Sequence, residues 1–333
     1  MGFTLLVTPH GPPGKQTLNY WDSHLYLHGQ DWLQKLKDIV PGVEIRLCES
    51  DKEAKRFIGE ADAVYGDVGP ELFCKAKRLR WIACPAAGPY AGYYHKALIE
   101  SDVEVTNFRG IFGDHISAHI MSFVLAHARG LHHYLSLQRE RKWQPGYKTI
   151  HLPEAKVLIV GLGGIGLEVA KLCHAFGMTV ISVDARRLDA PSQVTELYRP
   201  EALEQVLPKS DFVIVTVPET PVTQNMFTTR EFRLMKPSSF FINIGRGATV
   251  VLDDLAVAVQ SGEIAGAGLD VFQIEPLPAD HPLWNTPGVM ITPHVASNGP
   301  HLNDRRTEIF LDNCMRFERG LPLRNVVDKA MWF

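Results

Sequence analysis

Hydrophobic positions in the first hundred residues come as short runs separated by amphipathic stretches. The runs that predict strands are FTLLVT (3–8), VEIRLC (43–48), DAVYG (62–66), LRWIAC (79–84) and VEVTN (103–107). Between them, residues 31–40 and 51–59 have helical periodicity, and Pro41-Gly42 ends the first of these helices. Strands that alternate with helices predict a parallel sheet covered on both faces.

A second alternating series begins near residue 156. Its apolar runs are KVLIV (156–160), MTVISV (178–183), DFVIVTV (211–217), SFFINI (239–244), IAGAGLDV (264–271) and VMIT (289–292). Between the two series, residues 111–137 contain no proline and keep helical periodicity, which predicts one long connecting helix. The tail from about 301 to 319 is helical again. The two series predict two separate α/β units.

A glycine cluster follows the first strand of the second series. Gly161-x-Gly163-x-x-Gly166 comes directly after the strand and opens a helix that runs to about Phe176. In a dinucleotide-binding fold, one glycine makes the tight turn, one lets the backbone approach the pyrophosphate and one permits close helix–strand packing. The next strand ends in Asp184, where a carboxylate accepts hydrogen bonds from ribose hydroxyls. This context predicts a dinucleotide site rather than a plain turn.

The residues around Asp184 bear on which cofactor is bound. A carboxylate at this position repels the 2′-phosphate of NADP and so favours NAD. Arg186 and Arg187 follow directly and would attract that phosphate, unless they only form a solvated loop. We therefore expect NAD, with NADP left open.

Composition excludes several classes of function. The 333 residues exceed one ordinary core, and 45% hydrophobic with 21% charged residues is typical of a globular protein. A net charge of −3 indicates neither nucleic acid nor an anionic membrane as a partner. No apolar stretch approaches a membrane span, and the N-terminus lacks a signal-peptide pattern. Five scattered cysteines without C-x-x-C spacing predict free thiols and a cytoplasmic location.

Two further patterns resemble sites but predict none. Residues 10–17, HGPPGKQT, lack the first glycine of a phosphate-binding P-loop, and two prolines remove N–H donors. His115 and His119 stand four apart on the predicted long helix, but no third ligand is in register, so packing is favoured. No metal site is expected.

Polar residues follow three strands of the second series. Arg246 lies in NIGRG (243–247), Glu275 in LDVFQIEPLP (269–278) and His294 in ITPHVAS (291–297). Ligands bind at the carboxyl edge of such sheets, so these three side chains are predicted to converge above a bound nicotinamide.

These motifs also identify a family. From Val157 through His294 the chain resembles the D-isomer-specific 2-hydroxyacid dehydrogenases of the glyoxylate/hydroxypyruvate reductase kind. GLGGIG, VPETPVT, NIGRGATV, LDVFQIEPLP and TPHVAS stand in the family's order, and LPLRNVV (321–327) extends the match. The resemblance implies a Rossmann-type doubly wound parallel sheet for the cofactor domain, residues 109–298. It implies a smaller flavodoxin-like α/β substrate domain built from both chain ends, residues 1–108 and 299–333. A homodimer joined through the cofactor domain is also implied.

The resemblance implies NAD(P)-dependent interconversion of a small 2-keto acid and its D-2-hydroxy acid. Arg246, cationic and fork-shaped, would hold the substrate carboxylate and polarise the carbonyl. His294 would donate a proton to the carbonyl oxygen during hydride transfer and accept it in reverse. A free histidine titrates near about 6.5, so the Glu275 anion would help to keep it protonated.

The implied binding residues form two groups. Those for the cofactor are Gly161, Gly163, Gly164, Ile165, Gly166, Asp184, Arg186, Val217, Pro218, Asn243, Ile244, Gly245 and Asp270, the last near the carboxamide. Two other roles stay open for Asp270: assistance to Glu275 and His294, or a cap at the end of its strand. Those for the substrate are Tyr65, Gly66, Ala87 and Gly88, together with Arg246.

One loop departs from the family pattern, and two alternatives stay open. Where the family has a glycine-rich loop with Val-Asp, residues 85–90 read PAAGPY, which leaves the identity of the substrate open. A formate-dehydrogenase-like enzyme would have glutamine at the position of Glu275. A non-catalytic NAD-sensing protein, like the family's transcriptional corepressors, can retain all three polar residues.

Overall fold

The computed structural model describes residues 2–8, 31–88 and 92–332, and the chain divides into two compact units. The first unit contains residues 1–111 and 299–333, so both chain ends contribute to it. The second contains residues 112–298. Which of the two takes the substrate and which the cofactor stays a prediction. Residues 10–17, the excluded P-loop pattern, lie outside the described residues.

The first unit is built on a five-stranded parallel sheet. Its strands are β1 (Thr4–Val7), β2 (Glu44–Leu47), β3 (Ala63–Tyr65), β4 (Trp81–Ala83) and β5 (Glu104–Thr106). Their order in the sheet is β2-β1-β3-β4-β5, the flavodoxin-like arrangement that the family resemblance implied, so this prediction is confirmed. The C-terminal segment joins the edge of the sheet, where Val327 N donates to Val105 O at 2.8 Å.

Five helices of the described residues accompany this sheet, and the last of them comes from the far end of the chain. They are α1 (Asp31–Ile39), α2 (Asp51–Phe57), α3 (Pro70–Phe73), α4 (Lys96–Ile99) and α11 (Leu302–Glu318). Phe310 of α11 is 1% exposed, and its ring lies 4.9 Å from that of Tyr65, 5.9 Å from Trp32 and 6.0 Å from Trp81. The aromatic contact therefore fastens the C-terminal helix to the N-terminal sheet.

The second unit is built on a seven-stranded parallel sheet. Its strands are β6 (Lys156–Val160), β7 (Thr179–Val183), β8 (Glu196–Tyr198), β9 (Phe212–Val215), β10 (Phe240–Asn243), β11 (Gly266–Leu269) and β12 (Val289–Ile291). The strand order is β12-β11-β10-β9-β6-β7-β8. From β6 the chain adds β7 and β8 on one side and then β9 to β12 on the other, as in a Rossmann fold. The predicted fold class is confirmed. The edge strand β8 was not predicted, because three half-buried residues give too short a pattern.

The helices of the second unit correct one prediction. They are α5 (Gly113–Arg129), α6 (Leu131–Arg139), α7 (Gly164–Ala175), α8 (Leu203–Val206), α9 (Thr229–Leu234) and α10 (Leu252–Gln260). The single long helix predicted over 111–137 is wrong: Gly130 has φ of +71° and separates α5 from α6. The ring of Tyr147 occupies the space where a Cβ at Gly130 would lie. Among the described residues, no helix is long and apolar enough to cross a lipid bilayer.

The central strand β6 shows why this sheet is covered on both faces. Leu158 and Val160 pack into one hydrophobic cluster, whereas Val157 and Ile159 pack into another. Side chains alternate between the two faces of a strand, so a continuous apolar run serves two cores. This burial fixes the position of β6 in the sheet, and therefore the position of the glycine turn that follows it.

The Phe310 contact predicts a large effect on stability. We expect Phe310→Ala to lower the free energy of unfolding by about 3–5 kcal/mol, because it leaves a cavity among three aromatic rings. Urea denaturation followed by tryptophan fluorescence measures this, since Trp32 and Trp81 contact the substituted ring. The control is Phe176→Ala, at a position 43% exposed, with an expected change below about 0.5 kcal/mol. Equal changes in the two variants would contradict the role of Phe310.

Candidate active site

The four glycines after β6 divide into two that pack and two that face open space. Gly161 has φ of +98°, and a Cβ there would lie 2.9 Å from Val217 Cγ1. A Cβ at Gly166 would overlap the carbonyl oxygen of Gly161. At Gly163 and Gly164, by contrast, no described atom lies within 4 Å of such a Cβ. The turn therefore offers an uncovered stretch of backbone at the start of α7, which fits a pyrophosphate.

Asp184 orders the loop beside this turn. Its Oδ2 accepts a hydrogen bond from Leu162 N at 2.7 Å, and its Oδ1 accepts from Arg186 N at 2.8 Å and Arg187 N at 2.7 Å. Partial burial acts to raise the pKa of Asp184, but the three backbone donors outweigh it and lower the pKa. The carboxylate thus ties the glycine turn to the segment that carries the two arginines.

The predicted nicotinamide-side residues form a packed turn after β10. Asn243 Oδ1 accepts from Gly245 N at 3.1 Å, and its Nδ2 donates to Arg246 O at 3.0 Å. A Cβ at Gly245 would lie 2.5 Å from Val217 O, so glycine permits close contact with the end of β9. The remaining predicted residues of this edge are Ile165 in α7, Val217 and Pro218 after β9, and Ile244 after β10.

Glu275 and His294 are brought together by the fold. His294 Nδ1 lies 2.8 Å from Glu275 Oε2, and the two side chains are 26% and 27% exposed. The other carboxylate oxygen of Glu275 accepts from Phe272 N at 2.8 Å. One carboxylate therefore holds both its own turn and the imidazole of a neighbouring loop.

Arg246 lies on the turn that follows β10. Its Nη1 donates to Gly245 O at 2.6 Å, and its side chain is half-buried. A Cβ at Gly247 would overlap the backbone of Phe272, so the turn lies directly against the loop that contains Glu275. The segment after β10 thus contacts the segment after β11, through Gly247 and Phe272. The segment after β11 is hydrogen-bonded to the segment after β12, through Glu275 and His294.

Asp270 holds the loop around His294, and its side chain is 1% exposed. This is the strand-end cap that the sequence analysis left open, and the predicted place of Asp270 near the carboxamide stays a prediction. Oδ1 accepts from Thr292 Oγ1 at 2.6 Å and from Val295 N at 2.9 Å, and Oδ2 accepts from Ala296 N at 3.0 Å. We call Asp270 with these three donors the Asp270 clasp.

The clasp holds His294 in an uncommon backbone conformation. His294 has φ of +51°, and its N–H donates to Thr292 O at 3.0 Å. Non-glycine residues adopt this left-handed region only where their surroundings enforce it. The parallel register of β11 and β12, which pairs Leu269 with Ile291, sets Asp270 opposite Thr292.

His119 joins the clasp from α5. Its Nε2 lies 2.9 Å from Thr292 Oγ1 and 3.7 Å from Asp270 Oδ1. Burial lowers the pKa of His119, and the charge of Asp270 opposes that shift. The Nε2 atom of His115, four residues earlier, lies 4.0 Å from Oδ1 of Asp114. Within residues 2–8, 31–88 and 92–332, no group of three His, Cys, Asp or Glu side chains has the geometry of a metal site.

The predicted substrate residues other than Arg246 lie in the first unit. Tyr65 ends β3 and is buried, and Gly66, with φ of +130°, donates from its N–H to Ala83 O at 3.1 Å. Ala87 O accepts from Asn107 Nδ2 at 2.8 Å, and Gly88 is half-buried. Pro89 and Tyr90 of the divergent loop lie outside the described residues.

Comparison with known proteins identifies the family of this chain. Residues 121–296 match the family model of the D-isomer specific 2-hydroxyacid dehydrogenase NAD-binding domain. A glyoxylate reductase from Korarchaeum cryptofilum is 33% identical over 301 residues, which cover 89% of each chain.

Among the solved structures that resemble this chain are two that were determined with a nicotinamide cofactor. One is a D-isomer specific 2-hydroxyacid dehydrogenase from Xanthobacter autotrophicus in complex with NADPH and MES, with a TM-score of 0.82, 27% identity and 99% of each chain covered. The other is an NADPH-dependent glyoxylate/hydroxypyruvate reductase from Sinorhizobium meliloti in complex with NADP and sulfate. It has a TM-score of 0.81 and 26% identity, over 99% of this chain and 100% of that one.

The family model spans more than half of the chain, and the relative is matched over nearly its full length. The predicted family, the enzyme class and the use of a nicotinamide cofactor are therefore confirmed. The chain belongs to the D-isomer specific 2-hydroxyacid dehydrogenase family and is an NAD(P)-dependent enzyme of that family.

Proposed function

We propose that this enzyme reduces a small 2-keto acid to its D-2-hydroxy acid. The observation that carries the proposal is the 2.8 Å pair of His294 and Glu275 at the carboxyl edge of the sheet that bears the glycine turn. Glyoxylate and hydroxypyruvate are the first candidates, because related proteins are named for their reduction.

The residues present fit a nicotinamide cofactor. Gly163 and Gly164, at the N-terminus of α7, would hold the pyrophosphate, and Asp184 with Arg186 would face the adenosine ribose. The turn around Asn243 would lie at the nicotinamide end. When bound in its reduced form, the cofactor supplies the hydride.

His294 is proposed to transfer the proton. A carboxylate only accepts hydrogen bonds, so Glu275 keeps a proton on His294 Nδ1, and Nε2 is the atom that exchanges one. As an imidazolium, His294 donates from Nε2 to the carbonyl oxygen, and the neutral ring accepts the proton in the oxidative direction. Glu275 stabilises the imidazolium and fixes the plane of the ring.

Arg246 is proposed to bind the substrate carboxylate. A guanidinium presents several N–H donors in a plane and pairs with a carboxylate in bidentate fashion, which orients the neighbouring carbonyl. Tyr65, Gly66, Ala87 and Gly88 of the first unit are proposed to complete the substrate site. On this assignment, the first unit is the substrate domain and the second the cofactor domain. Assembly as a homodimer stays a prediction of the resemblance, and a cytoplasmic location stays a prediction of the cysteine pattern.

The acid at position 275 favours keto acid reduction over the formate-dehydrogenase-like alternative. A formate-type enzyme protonates no carbonyl and would have glutamine there. A carboxylate paired with an imidazole instead suits a reaction that consumes a proton.

The direct test is turnover with a panel of glyoxylate, hydroxypyruvate and pyruvate, each with NADH and with NADPH. We expect at least one keto acid to oxidise at least one of the two reduced cofactors. The loss of absorbance of the reduced cofactor measures this reaction. Binding of both cofactors without oxidation by any member of the panel would contradict the proposal and favour an NAD-sensing role.

We predict that His294→Ala lowers kcat/KM for keto acid reduction by about 10²–10⁴-fold, because the proton donor is lost. The cofactor Kd, measured by fluorescence titration, should change by less than about twofold, because the glycine turn is untouched. The control is His151→Gln, at an exposed position, with wild-type kinetics expected. Unchanged turnover in His294→Ala would remove this histidine from the mechanism.

The glycine turn predicts two different outcomes. Gly163→Val should keep the melting temperature of the protein but raise the cofactor Kd by about tenfold or more, because its side chain fills space reserved for the pyrophosphate. Gly166→Ala should lower the melting temperature, since its Cβ overlaps Gly161 O. Differential scanning fluorimetry and fluorescence titration measure the two effects. Wild-type affinity in Gly163→Val would place the cofactor elsewhere.

A further inference from the structure

We propose that His119 and Thr292 are positioning residues that hold His294 in place through the Asp270 clasp. The proposal rests on the proposed function, because His294 is the proton donor there. His119 itself acts through Thr292 and Asp270 and is assigned no contact with substrate or cofactor.

The direction of the hydrogen bonds follows from the chemistry of the groups. Ionised Asp270 only accepts, so the Thr292 hydroxyl donates its single proton to Oδ1 over 2.6 Å. Thr292 Oγ1 is therefore left as the acceptor for His119, 2.9 Å from Nε2. His119 must carry its proton on Nε2, and the chain of donors runs from His119 through Thr292 to Asp270.

The plane of the His119 ring is set by packing. His119 meets the ring of Phe123, one helical turn further along α5, edge-on at 5.0 Å. Phe123 in turn packs against β11, where a Cβ at Gly268 would lie 2.7 Å from its ring. This contact defines the plane of the imidazole, in which Nε2 lies 2.9 Å from Thr292 Oγ1.

The position of Thr292 makes this bond important for His294. Asp270 holds the loop on both sides of the histidine, by the Thr292 hydroxyl before it and by the Val295 and Ala296 N–H groups after it. If the hydroxyl rotated away, only the later side would remain held. The left-handed backbone at His294 would then relax, and the imidazole would move off Glu275.

Paired substitutions test the network. His119→Ala and Thr292→Val remove a link, whereas His119→Gln keeps an N–H donor near Nε2 and Thr292→Ser keeps the hydroxyl. We expect kcat for keto acid reduction to fall about tenfold in the first two variants, as a misplaced catalytic group implies. The cofactor Kd should not change, and the two conservative variants should recover most of kcat. His174→Gln, at an exposed position outside the site, is the control.

Hydrogen exchange reports on the clasp without any turnover. In His119→Ala and Thr292→Val, amide exchange at Val295 and Ala296 should be faster than in the wild type, and the conservative variants should restore protection. Failure of the wild-type enzyme to turn over any keto acid would refute the proposed function alone, because the exchange rates would still decide whether the network holds the loop.

Three results would overturn the inference. The first is unchanged kcat and exchange in His119→Ala, and the second is an equal loss of kcat in His119→Ala and His119→Gln. The third is a change in cofactor Kd that accounts for the whole loss. If His119→Ala does not fold, Thr292→Val and Thr292→Ser decide by the same readouts.

Discussion

The geometry of this site depends on the hydrogen bonds that one buried carboxylate, that of Asp270, requires. Asp270 is 1% exposed, and an ion buried to that extent is strongly destabilising unless it is hydrogen-bonded. Its hydrogen bonds come from Thr292, Val295 and Ala296, which surround His294 in the chain. The hydrogen bonds that stabilise the buried carboxylate of Asp270 are therefore the same ones that position His294.

The parallel sheet turns this local constraint into a site. Because neighbouring strands point the same way, the segments after β10, β11 and β12 leave the sheet at one edge. Gly247 allows the first segment to lie against Phe272 in the second, and Glu275 links the second to His294 in the third. The glycine turn after β6 opens at the same edge, beside the reversal of strand order where such folds bind dinucleotides. Asp184 repeats the pattern of Asp270 there, as a carboxylate that orders a loop through backbone donors.

The sequence predicted those features that depend on local pattern. Continuous apolar runs predicted the buried strands, and the glycine spacing predicted the turn and α7, because both follow from periodicity and backbone sterics. The break at Gly130 was missed, since a glycine does not interrupt an apolar pattern and the packing of Tyr147 comes from a later segment. His119 and Thr292 stand 173 positions apart, so their hydrogen bond has no trace in spacing. The roles of Arg246, Glu275 and His294 came from family resemblance.

The central claim is that Glu275 and His294 act as one unit, and a double-mutant cycle tests it most directly. The quantity is kcat/KM for keto acid reduction in Glu275→Gln, His294→Gln and the doubly substituted enzyme, each checked for an unchanged melting temperature. If the carboxylate acts only through the imidazole, the doubly substituted enzyme should be no slower than His294→Gln, within about twofold. Losses that multiply would show that the two side chains contribute independently and would contradict the account.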